Sequence, residues 1–159
     1  MQLWLLRHAS AEAQATSGRD EDRHLHHAGR RSCKALNDWV EANVPHRPGT
    51  VLVSPAQRTQ ETAQSALAGL GFPQPVTDAA LWNASPGDLA HLIDDNPGTE
   101  QDLMLIGHNP GLEGVARWLG ARLPITGMQP ATLVILELAQ PLTPGSASTL
   151  ACFQPSESI

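Results

Sequence analysis

Short runs of apolar residues alternate along this chain with longer segments in which apolar positions recur every three or four residues. This pattern is typical of a fold in which strands alternate with helices. The final two apolar runs follow one another with no helix between them, which predicts that part of the sheet is antiparallel. In chain order, strands are predicted at Gln2–Leu6, Thr50–Val53, Val76–Leu81 (the weakest), Asp102–Ile106, Leu133–Leu138 and Thr149–Phe153.

Helical spacing marks the segments between these strands. One helix is predicted from Ala28 to Asn43, and a shorter one starts at Ser85-Pro86 and continues through Ile93. Another follows the motif "GHNPG" and repeats its apolar residues at intervals of three and four positions. Its apolar face is formed by Leu112, Val115, Ala116 and Leu119.

The helix after the second strand has the clearest start signal. Ser54 is expected to be its N-cap, with Pro55 at the first helical position and Gln57 completing a capping box. The polar segment Ala9–His27 has no apolar period and is predicted to be a loop. The expected apolar face of the second helix comprises Ala63, Ala66, Leu67 and Leu70.

Together these elements predict a three-layer α/β/α sandwich with a mostly parallel central sheet of about five to six strands. The 159 residues are enough for one buried core, so a single domain is expected over residues 1–159.

A net charge of -6 argues against nucleic acid or an anionic membrane as the partner. Cys33 and Cys152 form neither a disulfide framework nor a metal-ligand motif, which favours a reduced, cytoplasmic setting.

Three of the predicted strands end in charged or nucleophilic side chains. The first ends in Arg7-His8, the second is followed by Ser54 and, one turn into the helix, Arg58, and the fourth ends in Gly107-His108-Asn109. Ligands of open α/β sheets collect outside the carboxyl ends of the strands. If these strands are parallel neighbours, two arginines and two histidines converge there. The sequence therefore predicts an anion site that contains a nucleophile.

Taken singly, each of these features also has an ordinary structural interpretation. Arg7-His8 is compatible with a surface pair, Arg58 with an ion pair to Glu61 on an exposed helix face, and His108 with a core histidine. The functional interpretation rests on finding all three at the same end of successive strands.

The segments "LRHA", "LVSPAQRTQETA" and "IGHNPG" resemble the motifs of the histidine phosphatase superfamily, whose fold is phosphoglycerate mutase-like. Their order and spacing are most similar to its small, capless bacterial branch, the SixA-type phosphohistidine phosphatases. The resemblance implies that His8 is the nucleophile that becomes phosphorylated and that Arg7 and Arg58 bind the phosphoryl oxygens. It implies that His108 is a second catalytic histidine, which donates to the phosphoryl group, and that no metal or other cofactor is needed. Arg23, Ser54 and Asn109 are further candidates for binding the phosphate or the substrate.

The chain departs from the family pattern near both sides of its first loop. Ala9 stands where the family usually has glycine, which is tolerated unless the backbone needs a positive φ. In "RHLHHAG", His26 replaces the threonine that would cap the first helix, so this helix should be capped differently. A metal site formed by His24, His26 and His27 is one interpretation. We favour a solvated loop because no carboxylate or cysteine has matching spacing, although one of these histidines could line the pocket mouth.

The larger relatives carry an acid that protonates the leaving group, but this chain has Asn83 in the corresponding stretch "LWNASPGDL". Asp88 is expected at a helix start, although Asp88 or Glu12 could still supply a proton. An imidazole is a far better leaving group than an alkoxide. The sequence therefore favours phosphohistidine in a partner protein of the histidine phosphotransfer type. The alternatives are a broad phosphatase of small phosphate esters and a non-catalytic phosphate-binding module.

Overall fold

The computed structural model describes residues 1–96 and 101–156. Within these ranges the chain forms one six-stranded sheet, four α-helices and two short 3-10 helices at Asp20–Asp22 and Ala79–Leu81. The strands are β1 (Gln2–Arg7), β2 (Thr50–Val53), β3 (Val76–Thr77), β4 (Leu103–Gly107), β5 (Leu133–Leu138) and β6 (Ala147–Phe153). The helices are α1 (His27–Asn43), α2 (Gln57–Ala66), α3 (Pro86–Asp94) and α4 (Gly111–Leu119).

The strand order β3-β2-β4-β1-β5-β6 places the ends of β2, β4 and β1 side by side. These strands and β3 are parallel, whereas β5 and β6 are antiparallel to their neighbours. Arg7 pairs with Gly107, and Val53 pairs with Ile106. The predicted mixed sheet is confirmed, and its register brings the three chemically distinctive strand ends to one edge.

Side chains of β1 alternate between two separate cores. Trp4 and Leu6 face the core covered by α1 and α2, whereas Leu3 and Leu5 face the core covered by α3 and α4. All four side chains are completely buried. Such a continuous apolar run is expected for a strand with helices on both of its faces. The predicted three-layer arrangement is therefore confirmed.

The predicted cap of α2 is wrong. Ser54 does not cap the helix, because Pro55 precedes an extended Ala56, and Ala56 is the N-cap residue with no side-chain cap bond. The helix begins at Gln57 and ends at Ala66, so Leu67 and Leu70 of the predicted apolar face lie beyond its end. The first turn instead uses Thr59, whose hydroxyl donates to the carbonyl oxygens of Ser54 and Ala56.

The third strand is much shorter than predicted. Only Val76–Thr77 pair with β2, and both residues are exposed at the sheet edge. The side chain of Asp78 then accepts a hydrogen bond of 2.9 Å from the amide of Ala80. This bond starts the 3-10 helix Ala79–Leu81, so the local cap overrides the weak strand pattern.

The starts of α3 and α1 follow the sequence more closely. Ser85 and Asp88 form a reciprocal capping box at α3, as the position of Asp88 predicts. At α1 the cap is unusual, because Nδ1 of His26 accepts a hydrogen bond from the amide of Ala28. None of the helices within the described ranges is long and apolar enough to span a membrane.

Candidate active site

An open cavity of about 370 Å³ lies at the carboxyl ends of β1 and β4 and beside the start of α2. It brings together six of the seven residues that the sequence identifies as site candidates. The seventh, Ser54, is completely buried behind the cavity wall. The lining residues are Arg7, His8, Arg23, Arg58, His108 and Asn109, together with Ser10, Ala11, Trp82, Asn83 and Pro130.

The imidazole of His8 is held in one tautomer. Its Nδ1 lies 2.8 Å from the carbonyl oxygen of Ala9, which can only accept a hydrogen bond. The proton therefore sits on Nδ1, and Nε2 keeps its lone pair. The amide of His8 donates to the carbonyl of Gly107, which ties this residue to the end of β4. His8 is thus a neutral imidazole with a free nucleophilic nitrogen.

The imidazole of His108 is oriented by a buried hydroxyl. Its Nε2 lies 2.7 Å from Oγ of Ser54, while its Nδ1 is 3.4 Å from Nη2 of Arg58. An arginine can only donate, so Nδ1 is the acceptor and Nε2 donates to Ser54. The ring centroids of His108 and His8 are 5.3 Å apart. Ser54 therefore orients His108 from the side of the ring that faces away from the cavity. The sequence analysis instead expects Ser54 to bind the phosphate or the substrate.

Arg7 and Asn109 are fixed by the same backbone carbonyl. Nη1 of Arg7 and Nδ2 of Asn109 both donate to the oxygen of Met128, at 2.8 and 2.9 Å. The amide oxygen of Asn109 accepts from the backbone of Glu113 in the first turn of α4. Within the described residues, the buried Nε of Arg7 has no hydrogen-bond partner. The guanidinium of Arg7 therefore keeps one N–H group that no acceptor among the described residues satisfies.

Arg58 is almost completely buried and is paired with the loop that precedes α1. Its Nη1 donates to the carbonyl of Asp20 at 2.9 Å, and its Nη2 donates to the carboxylate of Asp20 at 3.0 Å. The guanidinium carbon also lies 5.6 Å from the ring centroid of Trp82, a cation–π contact. Its Nε is buried without a hydrogen-bond partner in the described part of the chain. Arg58 therefore pairs with Asp20 and not with Glu61.

Arg23 lines the same cavity from the loop. Its Nε donates to the second carboxylate oxygen of Asp20 at 3.0 Å, and its Nη1 donates to the carbonyl of Glu12 at 3.0 Å. Asp20 consequently bridges two arginines of the cavity. Partial burial acts to raise the pKa of Asp20, but Arg58 and Arg23 together lower it below its ordinary value. This carboxyl group is therefore ionised at neutral pH.

Burial and the surrounding cations keep both cavity histidines neutral. Burial is the main cause that lowers the pKa of His8 to about 3; the charges of Arg58, Arg7 and a protonated His108 act in the same direction, and the bond to Ala9 acts against them. Burial and the charge of Arg58 lower the pKa of His108 to about 4, although Asp20 acts in the opposite direction. Burial also lowers the pKa of Arg7. At pH 7 the cavity thus presents cationic arginines and neutral imidazoles, a combination suited to an anionic electrophile.

The segment after His8 is anchored by α2 and α1. The amide of Ala9 donates to Oγ1 of Thr62, which itself donates to the carbonyl of Arg58. Ala9 is not among the residues with positive φ, so replacement of the family's usual glycine creates no backbone strain there. On the other side, a Cβ at Gly29 would overlap the carbonyl oxygen of Ser10. Glycine at this position therefore permits α1 to pack directly on the loop that follows His8.

The three loop histidines have separate roles. His24 pairs with Glu61, His26 caps α1 and donates from Nε2 to the hydroxyl of Ser10, and His27 is exposed. No group of three or more potential metal-ligating side chains occurs within residues 1–96 and 101–156. None of these histidines lines the cavity, whereas Ser10, the partner of His26, does.

Sequence reasoning missed Trp82, Asp20 and Thr62. Trp82 lines the cavity, where its ring meets the ring of His108 edge-on. Asp20 lies in a loop without periodicity, so no pattern marked it. Thr62 had one available signal, because it follows Arg58 by one helical turn and so shares its face.

No carboxylate lines the cavity in the part of the chain that the structure describes. Asn83 does line it, in a left-handed backbone conformation with φ of 53°. Asp88 is engaged in the capping box of α3, and Glu12 is exposed and contributes its backbone carbonyl to Arg23. The cavity therefore combines arginine N–H donors with a neutral imidazole, and within residues 1–96 and 101–156 it contains no carboxylic acid.

Several solved structures share this architecture. The SixA protein from Agrobacterium tumefaciens is 27% identical, with a TM-score of 0.79 over 97% of this chain and 98% of that one. A protein histidine phosphatase SixA solved with tungstate is 20% identical, with a TM-score of 0.78 over 96% of each chain. The α-ribazole phosphatase from Shigella flexneri is more distant, at 16% identity and a TM-score of 0.63 over 91% of this chain and 94% of that one.

The described residues therefore have the SixA and phosphoglycerate mutase-like fold without an added cap domain. Comparison with curated protein sequences found no match. At the level of the family, the model of the histidine phosphatase superfamily, branch 1, matches residues 3–106, which include both residues of the Arg7-His8 pair and Arg58. This match and the shared fold lead to one conclusion: the chain belongs to the histidine phosphatase superfamily.

Proposed function

We propose that this chain hydrolyses phosphohistidine in a partner protein through a covalent phosphoryl intermediate on His8. The observation that carries the proposal is the cavity lining. It combines a neutral histidine, two arginines with unpaired buried N–H groups and no carboxylate among the described residues. Membership of the superfamily supports phosphatase chemistry, and the resemblance to SixA proteins supports this substrate class.

In the first step, the lone pair on Nε2 of His8 attacks phosphorus opposite the leaving nitrogen. The P–N bond of the substrate breaks, and its electron pair stays on the departing imidazole. Arg7 and Arg58 balance the charge on the phosphoryl oxygens as the bond changes. The bond from Nδ1–H to the carbonyl of Ala9 stabilises the positive charge that develops on the His8 ring.

In the second step, water attacks the phosphoryl group on His8. The bond between phosphorus and Nε2 breaks, its electron pair returns to the ring, and the proton of the attacking water is released to solvent. His108, with its Nδ1 on the side of Arg58, serves as a donor once the bound anion favours its protonated form. The products are inorganic phosphate and the original enzyme.

The absence of a carboxylic acid from the described lining bears on the leaving group. An alkoxide needs a proton before it can leave, whereas an imidazole protonated at its other ring nitrogen leaves as a neutral molecule. Asp20, whose carboxylate bonds with two of the cavity arginines, is ionised and held by Arg58 and Arg23. The site therefore favours phosphoramidates over alkyl phosphates.

The openness of the cavity bears on the partner. Ser10 and Pro130 line the catalytic cavity and also an adjoining surface groove, so the nucleophile is approachable from a broad face. A side chain presented by another protein fits such a site, which gives a small metabolite few enclosing contacts. A protein of the histidine phosphotransfer type is the partner class that we propose.

The test compares turnover of a phosphohistidine protein with turnover of an alkyl phosphate ester, using the wild type, His8→Ala and His46→Ala. We expect the wild type to prefer phosphohistidine, His8→Ala to lose turnover and the acid-labile phosphoenzyme, and His46→Ala, which changes an exposed histidine, to retain both. A clear preference for the alkyl ester, or activity that survives in His8→Ala, would refute the proposal.

A further inference from the structure

Asp20 occupies a position that none of the three sequence motifs includes. It lies in the loop between β1 and α1, in the short 3-10 helix Asp20–Asp22. One carboxylate oxygen is 3.0 Å from Nη2 of Arg58, and the other is 3.0 Å from Nε of Arg23. Its backbone carbonyl accepts a further bond from Nη1 of Arg58. One loop residue thus makes three contacts with two arginines of the cavity.

The exposures of the two partners show which one positions the other. The side chain of Arg58 is 7% exposed, whereas that of Asp20 is 56% exposed. A half-exposed ion pair contributes little to stability through its charges alone. In the buried guanidinium of Arg58, however, Nη1 and Nη2 each use one N–H group to bond with Asp20. The buried Nε–H remains without a partner in the described residues, and Nη2 stays beside Nδ1 of His108.

From this geometry we propose that Asp20 is a positioning residue for catalysis, which orients Arg58 toward the phosphoryl group and stabilises the protonated form of His108. The inference rests on the proposed phosphatase function and extends it to a residue outside the cavity lining. Asp20 has no contact with the substrate in this proposal. It acts through Arg58 by hydrogen bonding and on His108 by its charge.

The charge effect on His108 has a defined sign. Burial lowers the pKa of His108, and the arginines around it lower that pKa further, whereas Asp20 raises it. The negative charge therefore favours the imidazolium that must donate to the phosphoryl group. Asp20 is not among the groups that shift the pKa of His8. The charged and titratable groups that face His108 are Arg7 at the end of β1, His8 directly after it, Arg58 from α2, and Asp20 and Arg23 from the loop.

This difference gives a readout that a purely structural role would not alter. As the pH is raised, activity should first increase, when His8 loses its proton. It should decrease at higher pH, when His108 in the substrate complex loses its proton. Removal of the Asp20 charge should lower the pKa of His108 and move only the high-pH limb toward lower pH. The low-pH limb should stay in place.

The experiment measures kcat, KM and their pH dependence for Asp20→Asn, Asp20→Ala and the control Asp22→Asn. Asp22 is two residues away in the same 3-10 helix and bonds with Ser17 and Arg19, not with the cavity arginines. We expect kcat to fall about tenfold in both Asp20 variants, as for the loss of one charged hydrogen bond. In both Asp20 variants the high-pH limb of the activity profile should shift to lower pH, whereas Asp22→Asn should match the wild type.

Tungstate binding, measured by calorimetry, provides a readout independent of turnover. Asp20→Ala should bind tungstate several-fold more weakly, because Arg58 is no longer held toward the cavity. If the Ala variant does not fold, Asp20→Asn, which keeps an acceptor oxygen, carries the test. Wild-type kcat with an unmoved high-pH limb would overturn the inference, as would tighter tungstate binding, which would make Asp20 a competitor for Arg58. An inactive wild type would instead refute the proposed function.

Discussion

The hydroxyl of Ser54 lies 2.7 Å from Nε2 of His108, although the two residues follow different strands and are 54 positions apart. Ser54 follows β2 and His108 follows β4, and these strands are parallel neighbours. The Ser54 hydroxyl is completely buried and bonds with Nε2 of His108, so it holds this ring nitrogen away from the cavity. The orientation of the second histidine is therefore built into the sheet.

Replacement of Ser54 tests this relationship. We expect Ser54→Ala to lower kcat about tenfold with a smaller change in KM, since Nε2 of His108 would lose its acceptor and the ring its fixed orientation. Steady-state kinetics on a phosphohistidine substrate measures both constants. Thr132→Val is the matched control, because Thr132 is also fully buried and its hydroxyl has no partner in the described part of the chain. Equal effects in the two variants would contradict the assigned role.

The depressed pKa of His8 predicts a loss of stability in acid. The unfolded chain takes up a proton near pH 6.5, whereas the folded chain resists it down to about pH 3. The free energy of unfolding should therefore fall as the pH is lowered through this window, by about 2 kcal/mol at pH 5 from His8 alone. Urea unfolding at pH 7.5 and pH 5 measures this change.

The variant His8→Gln isolates the contribution of that histidine. We expect a smaller loss of stability between the two pH values than in the wild type, because the variant has no buried imidazole at this position to protonate. His46→Gln removes an exposed histidine and should behave like the wild type. An equal pH dependence in all three proteins would show that His8 is not the responsible group.

Arg7 should not be replaceable by lysine. Its guanidinium donates from Nη1 to Met128 while its buried Nε–H is left for the ligand, and an ammonium group cannot reproduce both directions. We expect Arg7→Lys to lower kcat/KM about 100-fold and to weaken tungstate binding. Arg117→Lys, which changes an exposed arginine paired with Glu113 on α4, is the control and should change neither kcat/KM nor tungstate binding. Tungstate affinity equal to that of the wild type would rule out the assigned contact.

Asn83 offers a test by gain of function. It lines the cavity with positive φ, a conformation that aspartate also tolerates. We expect Asn83→Asp to narrow the preference for phosphohistidine by raising the rate on alkyl phosphates several-fold, because the new carboxyl group can supply a proton to the leaving oxygen. Rates on the two substrate types are compared at pH 5.5 and pH 7.5. Loss of both activities in equal measure would argue against proton donation.

Gly29 should be sensitive to the addition of a single methyl group. Because a Cβ would overlap the carbonyl of Ser10, Gly29→Ala should displace the loop after His8, with a stability loss of about 1–3 kcal/mol and reduced kcat. Gly87→Ala is the control within a helix, where the nearest atom is the Ser85 hydroxyl at 3.7 Å. Thermal unfolding and kinetics on both variants should separate the two positions.

The strands and helices with strong periodicity were predictable because burial determines their pattern. Thr50–Val53 and Leu133–Leu138 have the predicted bounds, and α1 begins one residue earlier than expected. The errors occur where a local polar interaction competes with that pattern. Ser54 has the composition of an N-cap, but His108 takes its hydroxyl. Asp78 ends β3 early by capping the next turn.

The cavity residues were predictable only where they follow parallel strands, because the carboxyl ends of neighbouring parallel strands lie side by side. Arg7, His8 and His108 follow from that rule, because each stands at or just after the end of a strand. Asp20 and Trp82 lie in loops whose path depends on tertiary contacts such as the bond from Arg58 to the Asp20 carbonyl. No periodicity in a single sequence encodes such a path.

The strand order also has a consequence for the order of events during folding. The guanidinium groups of Arg7 on β1 and Arg58 on α2 reach one cavity only after β4 has inserted between β1 and β2. No fragment that ends before residue 103 can therefore assemble the site. Oxyanion binding reports the completion of the central sheet, and an oxyanion should slow unfolding without accelerating the earliest stages of collapse.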